Sequence, residues 1–548
     1  MEQYIFNEEH TLMKRRDFIK AAAATGISSV LSQRYSSPGK AMQSSAPGFD
    51  LHPFIRNHPE AVFIHLTAIE SKTDAAPIHD VGYKLAKELI VPVNSGGFPN
   101  STKITMKPNW TCATPKDGKP IIEKLGMNTD PNFIEGWVKG MKESGPQSYY
   151  IRECACPNQW KDMGWADMCE RNGIDLRDLS SKDFWDLEAG KDINFVKVPQ
   201  GVVFKEVGYM APMNEPETFL INVGKMKSHA MGLSAGIKNL QGICGRRFSS
   251  FCNPHNQIRK DYDERYHKYF QDDFEAHIEE LYARHVKEGI PRWDRPGEAG
   301  GIWVEEWSQR MLDSLSVTPI ELNIVEGIYC QDGNGFGFGP YEKLGPAGVT
   351  SRDYMSNMIL FGKDPFLVDM ITFWLGGHEP GNFGLFHLAI ERGMSKVLDP
   401  HDIPIYLWKD GQATLTTLDN LKRTPLVTYY LRRDYHGQNE PAAHLCDEPF
   451  DYSAWKEGKR VGDCSPSIRQ LGYDSDKNLI GELSLPQKED ICVEVLNKNG
   501  DVVWRLRADD LEPGVHQVVW DGFDKHGMHT VYVKGMGWDA ERQMVTFS

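Results

Sequence analysis

The chain has 548 residues, 40% of them hydrophobic, with 14 Trp, 25 Phe and 20 Tyr, which fills more than one core and excludes a largely disordered protein. Its formal net charge of -15, with no basic run beyond the N-terminal segment, excludes a nucleic-acid binder, since such binding rests on clustered Lys and Arg neutralising phosphates. Ten cysteines lie scattered without repeated CxxC groups, so no built-in iron–sulfur cluster motif is present; Cys154 and Cys156, too near each other for a routine structural disulfide, read as buried thiols, as disulfide partners of more distant cysteines, or as a metal or redox pair.

Residues 13–31 carry Arg15 and Arg16, then Phe18 and Lys20, then a short Ala-rich run. That run is too short to span a bilayer and has the shape of a signal peptide. The stretch RRDFIK resembles the twin-arginine translocation signal. The resemblance implies export of the folded chain to the periplasm or beyond, with the translocation machinery as a partner and no membrane span after signal removal. Met13 is an alternative start to Met1, and residues 1–50 read as signal peptide and linker.

From about residue 58, apolar runs of strand length alternate with segments of helical spacing. Runs at 62–68, 103–108, 148–153, 218–223, 322–327 and 357–362 predict buried strands. NFIEGWVKGMKES, DPFLVDMITFWLG and GLFHLAIERGM predict helices. The alternation predicts an α/β domain over 51–415 with a mostly parallel sheet, whose function gathers after the strands' carboxyl ends. A charged, His-rich stretch at 253–310 interrupts it and reads either as a solvated helical pair or as a lid or partner surface.

Three stretches hold more polar residues than packing needs. Lys107 and Asn109 flank Pro108 at a strand end, where Lys binds anions and Asn orients a ligand. In KMKSHAMGLSAGIKNLQG (225–242), Lys227, His229, Lys238 and Asn239 surround a Gly-rich turn whose helix N-terminus would suit an anion. In 325–340, Asp332, Gly333, Asn334 and Gly335 form a loop able to wrap a ligand, with Glu326, Asp332, Asn334, Asp364 and Asp369 as oxygen donors.

In this order, the KPN strand end, the K-x-H-x-x-G-x-S-x-x-I-K-N-L-x-G segment, the Gly-Asn-Gly loop and the G-x-D-P-x-x-V-D helix start resemble the domain-of-unknown-function 362 family over about residues 60–410. Here the family's GNGP is GNGFGFGP, Glu326 stands where Asp is common, and the ferredoxin-type cysteine motifs of many relatives are missing. The resemblance implies a fold and a site, and no particular reaction. His229 to Lys238 is also similar, one residue shorter, to a stretch of the nickel-pincer lactate racemase family. That similarity implies His229 as metal ligand or general acid/base and Lys238 as anion binder.

Residues 416–473 read as a linker or accessory segment. Over 474–548, alternating apolar positions broken by NG, PG and DG predict hairpins in a small all-β unit. Asn499–Gly500, Pro513–Gly514, Trp520, Asp521, Gly522, Asp524, Gly527 and Tyr532 resemble an immunoglobulin-like domain of the flagellar hook-capping type, a sandwich without catalysis.

These readings converge on an exported enzyme for a small anionic substrate, of redox or isomerase class. His229, Lys238 and Asp332 would be catalytic. Lys107, Asn109, Lys227, Asn239, Gly333, Asn334 and Gly335 would bind cofactor or substrate. His229, Asp332 and Asp364 would hold a divalent or transition metal. The alternative is a non-catalytic ligand-binding or cell-surface protein.

Overall fold

The computed structural model describes residues 47–111, 122–154, 159–179, 182, 184–229, 232–245, 248, 264–290, 302–331, 343–344, 349–350, 353–424, 426, 450–458, 467–473, 479–485, 489–497, 502–511, 514–520, 527–535 and 538–547. They divide into two compact units: one ends at Asp447, and the other holds Glu448–Ser548 together with His285–Pro291.

The strand and helix runs between Val62 and Thr416 follow in chain order as β1 (Val62–Leu66), α1 (Ala75–Leu89), β2 (Lys103–Pro108), α2 (Pro131–Glu143), β3 (Ser148–Arg152), α3 (Trp165–Arg171), β4 (Ile174–Arg177), β5 (Thr218–His229), β6 (Gly232–Ser234), α4 (Gly236–Asn239), α5 (Phe274–Glu288), α6 (Ile302–Ser316), β7 (Leu322–Gln331), β8 (Met358–Gly362), α7 (Pro365–Leu375), α8 (Gly384–Glu391), β9 (Ile405–Lys409) and β10 (Gln412–Thr416). The main sheet has the order β10-β9-β1-β8-β7-β5-β2-β3-β4, with β6 folded back on β5. Pairings within it make seven of these nine strands run one way, with only β8 and β10 opposed. The domain is therefore α/β with a mixed, mostly parallel sheet. β7 and β8 are buried at every residue, which explains their near-continuous apolar sequences.

Two helices begin with the same signal. Asp130 and Asp364 each stand before a proline, and each side chain accepts a backbone N–H from the first turn of α2 or α7. This is N-capping with Pro pre-set at the first helical position. α1 and α2 pack through glycines: a Cβ on Gly136 would lie 2.0 Å from the His79 carbonyl oxygen, and one on Gly82 would lie 2.3 Å from that of Phe133. Trp110 stacks on Trp165 at 5.0 Å in the same apolar core.

The 253–310 stretch departs from the solvated reading at α6. Its Glu305, Glu306, Gln309, Arg310 and Asp313 are all buried. Asp313 shows how: its carboxylate accepts the N–H groups of Val202, Val203 and Phe204 at 2.7–2.9 Å and pairs with Arg392 at 2.8 Å. The charges of α6 face inward because partners receive them. α5 keeps the ordinary amphipathic pattern, with Phe274, Ile278 and Leu281 buried. No helix among the described residues is long and apolar enough to cross a membrane.

The second unit is all-β in its C-terminal part. Its strands β11 (Ser467–Tyr473), β12 (Leu479–Leu485), β13 (Glu489–Leu496), β14 (Val502–Leu511), β15 (Gly514–Trp520), β16 (Gly527–Gly535) and β17 (Trp538–Phe547) form two antiparallel sheets, β11-β12-β15 and β14-β13-β16-β17. Leu483, Val518 and Trp520 from the first sheet and Ile491, Val493 and Val495 from the second belong to one apolar cluster. β11 lies within the segment read as linker. Of the three turn dipeptides, Asn499–Gly500 alone lies between two strands that pair with each other, β13 and β14. The Pro513–Gly514 and Asp521–Gly522 regions instead connect strands of different sheets, so they are crossovers and not the predicted hairpins.

Candidate functional site

Register decides which polar residues meet at the carboxyl edge of the sheet. Asn222 of β5 lies opposite Lys107 of β2 and Asn323 of β7, so these three share one face. Lys225, three residues on, is opposite Glu326 and faces the other way, as does Lys227. The strand ends therefore carry a polar layer on each side.

On the first face, Lys107 is buried and its Nζ donates to Glu153 Oε2 at 2.5 Å, to the Pro108 carbonyl at 2.6 Å and to Asn239 Oδ1 at 3.0 Å. Asn239 donates in turn to the Lys107 carbonyl and to Asn222 Oδ1. Glu153 also accepts the N–H groups of Trp110 and Cys154. Every donor of the Lys107 ammonium is thus used inside the protein.

On the second face, Lys225 Nζ lies 2.6 Å from Glu326 Oε2 and 3.6 Å from the centre of the Tyr329 ring. A bulge makes this contact. Between Lys225 and Lys227 the pairing on β7 jumps from Glu326 to Gln331, which swings Tyr329 over the lysine and lets its hydroxyl donate to Asp130 Oδ2 at 2.7 Å. Burial pushes the Glu326 carboxyl above its ordinary range, against the pull of Lys225.

Lys227 differs from both. It is 2% exposed, and its Nζ donates to the Met127 carbonyl at 2.5 Å and to Asn109 Oδ1 at 3.2 Å. Both acceptors are uncharged. Among the described residues no carboxylate lies within ion-pair distance of it. Burial drives its ammonium far below the usual lysine range, and Lys238, Lys225 and Lys107 add to the effect while Glu153 opposes it. Asn109 is itself fixed, its N–H donating to the Thr129 hydroxyl and the Val223 carbonyl.

Residues 104–373 match the family model described as domain of unknown function (DUF362). The segment is a DUF362 domain. The match opens in β2 and closes in α7, so it contains every lysine and carboxylate of the two layers. No curated protein matches the chain.

Within the DUF362 domain, the predicted residues Lys107, Asn109, Lys227 and Asn239 come together, and Lys238 is buried on the neighbouring α4. The α4 N-terminus does not serve as an anion site: the N–H groups of Gly236 and Ile237 donate to the two oxygens of Asp369 at 2.7 and 2.8 Å. Asp364 spends Oδ1 on the N–H groups of Phe366 and Leu367 as the α7 cap, a role that the Asp-Pro dipeptide signals. His229 closes β5, but its side chain lies outside the described residues, as do Asp332, Gly333, Asn334 and Gly335. The same holds for Cys156, whereas Cys169, Cys244 and Cys492 are free thiols. Burial pushes the Cys244 thiol up to about 12, which makes it inert. Sequence reasoning missed Lys225, Glu153, Tyr329 and Asp130. The K-x-K alternation of β5 and the Glu immediately after β3 were the available signals.

Proposed function

We propose that the DUF362 domain is an enzyme domain whose Lys227 layer receives a small anionic substrate. One observation carries the reading: a buried lysine whose acceptors among the described residues are both uncharged lies near Lys107, Lys225 and Lys238, the first two paired with Glu153 and Glu326. A buried cation without a counter-charge is costly, and an anion within reach supplies the missing charge. Charge-assisted hydrogen bonds from Lys227, with Asn109 fixing its direction, would orient such a ligand. The paired lysines Lys107 and Lys225 hold the strand ends in place around it.

The reading extends to the rest of the chain. The RRDFIK segment supports export by the twin-arginine route. The two antiparallel sheets with one shared core support an immunoglobulin-like accessory unit without catalysis. A divalent or transition metal, if bound, would be held by His229, Asp332 and Asp364.

Calorimetric titration with oxalate tests the site. Lys227→Met should weaken binding at least about tenfold, while Lys103→Met, a change at an exposed lysine paired with Glu215, should leave it unaltered. Equal affinity for the native protein and Lys227→Met would remove the basis of the proposal.

A further inference from the structure

We infer that Lys227 is a covalent nucleophile that forms a Schiff base with a 2-oxo carboxylate. The inference rests on the anion-site reading and names its substrate class.

An ammonium has three N–H groups, whereas a neutral amine has two and a lone pair. Among the described residues Nζ meets two acceptors, the Met127 carbonyl and Asn109 Oδ1. That set matches the amine: both N–H groups are used and the lone pair is left over. Lys107 has three acceptors, one of them a carboxylate, a set that matches an ammonium, and Lys225 has the Glu326 carboxylate at 2.6 Å and the Tyr329 ring at 3.6 Å, which compensate a positive charge. The strand ends therefore separate one amine from two charge-paired lysines, Lys107 on the opposite face of the sheet and Lys225 on the same one. Desolvation beside other cationic groups is the arrangement that activates a lysine for attack on carbonyl carbon.

The substrate class follows from the neighbours. The electrophile must be a ketone or aldehyde carbon, since that is what an amine condenses with reversibly. The cationic surroundings, with Lys238 close enough to depress Lys227, favour a carboxylate on the same small molecule. In the step itself the Nζ lone pair forms the C–N bond as the carbonyl C–O π bond breaks. A proton passes from nitrogen to that oxygen. With one further proton from solvent the oxygen leaves as water, and the nitrogen remains as a protonated imine. Nothing is oxidised or reduced. The imine can then withdraw electrons from the adjacent carbon, which serves isomerisation, decarboxylation or carbon–carbon cleavage.

The test is reductive trapping on the full chain with pyruvate as probe. Pyruvate plus borohydride should add about 72 Da to the native protein, and peptide mapping should place the addition on Lys227. Oxalate should protect against it. Lys227→Arg keeps a cation and cannot form the imine, so it should bind oxalate and take up no label. Absence of label from the native protein while oxalate still binds would overturn the Schiff-base inference and leave the anion site standing. Absence of both would overturn the two together. Label confined to lysines other than Lys227 would also overturn the assignment.

Discussion

Asp369 shows how much a single carboxylate controls in this domain. It is 3% exposed, and both oxygens receive backbone N–H groups from the turn that carries Lys238 and Asn239. Burial pushes its carboxyl up to about 7. A carboxyl raised in the folded state binds more protons folded than unfolded, so its contribution to stability is complete below the ordinary Asp range. That contribution is then lost as pH rises toward about 7. Asp369→Asn should therefore lower stability, since an amide oxygen accepts for only part of the pair, and should flatten the decline in melting temperature between about pH 4 and pH 7. Thermal unfolding at several pH values reads this directly, and an unchanged slope would show that Asp369 titrates elsewhere. Legibility at this scale was uneven. Lys107, Asn109, Lys227 and Asn239 could be read because strand ends and glycine-rich turns place polar residues predictably. Glu153 and Tyr329 could not, because the first is chosen by strand neighbours distant in sequence and the second by a bulge that no local pattern announces.

At the scale of elements, the helices and strands were legible where period and capping agreed. The Asp-Pro starts of α2 and α7 and the apolar runs of β7 and β8 are such cases. α6 was misread because inward-facing charges resemble a wet surface until their partners are known. The PG and DG turns were misread because a turn dipeptide fixes local geometry but not which sheet the next strand joins. The close contact of α1 and α2 gives a direct prediction. A methyl on Gly136 meets backbone rather than a movable side chain, so Gly136→Ala must push the helices apart. The expected cost is ~1–3 kcal/mol by overpacking, measured by denaturant unfolding. A cost near zero would mean that the helices separate freely.

For the whole molecule, the sequence separated an α/β domain from a C-terminal all-β segment, and each has its own apolar cluster. The export reading belongs to this scale because it concerns the folded chain as cargo. Replacing Arg15 and Arg16 together by Lys should hold the protein inside the cell, as seen by fractionation, and continued export would remove the twin-arginine reading. The central claim is that Lys227 lacks a counter-charge that a small anion supplies. The oxalate titration run at several pH values in buffers of different ionisation enthalpy tests it most directly, because recharging an amine held below the usual lysine range takes up a proton. The account predicts proton uptake on oxalate binding by the native protein and none by Lys227→Met. Oxalate binding without proton uptake, or with equal uptake in the variant, would contradict it.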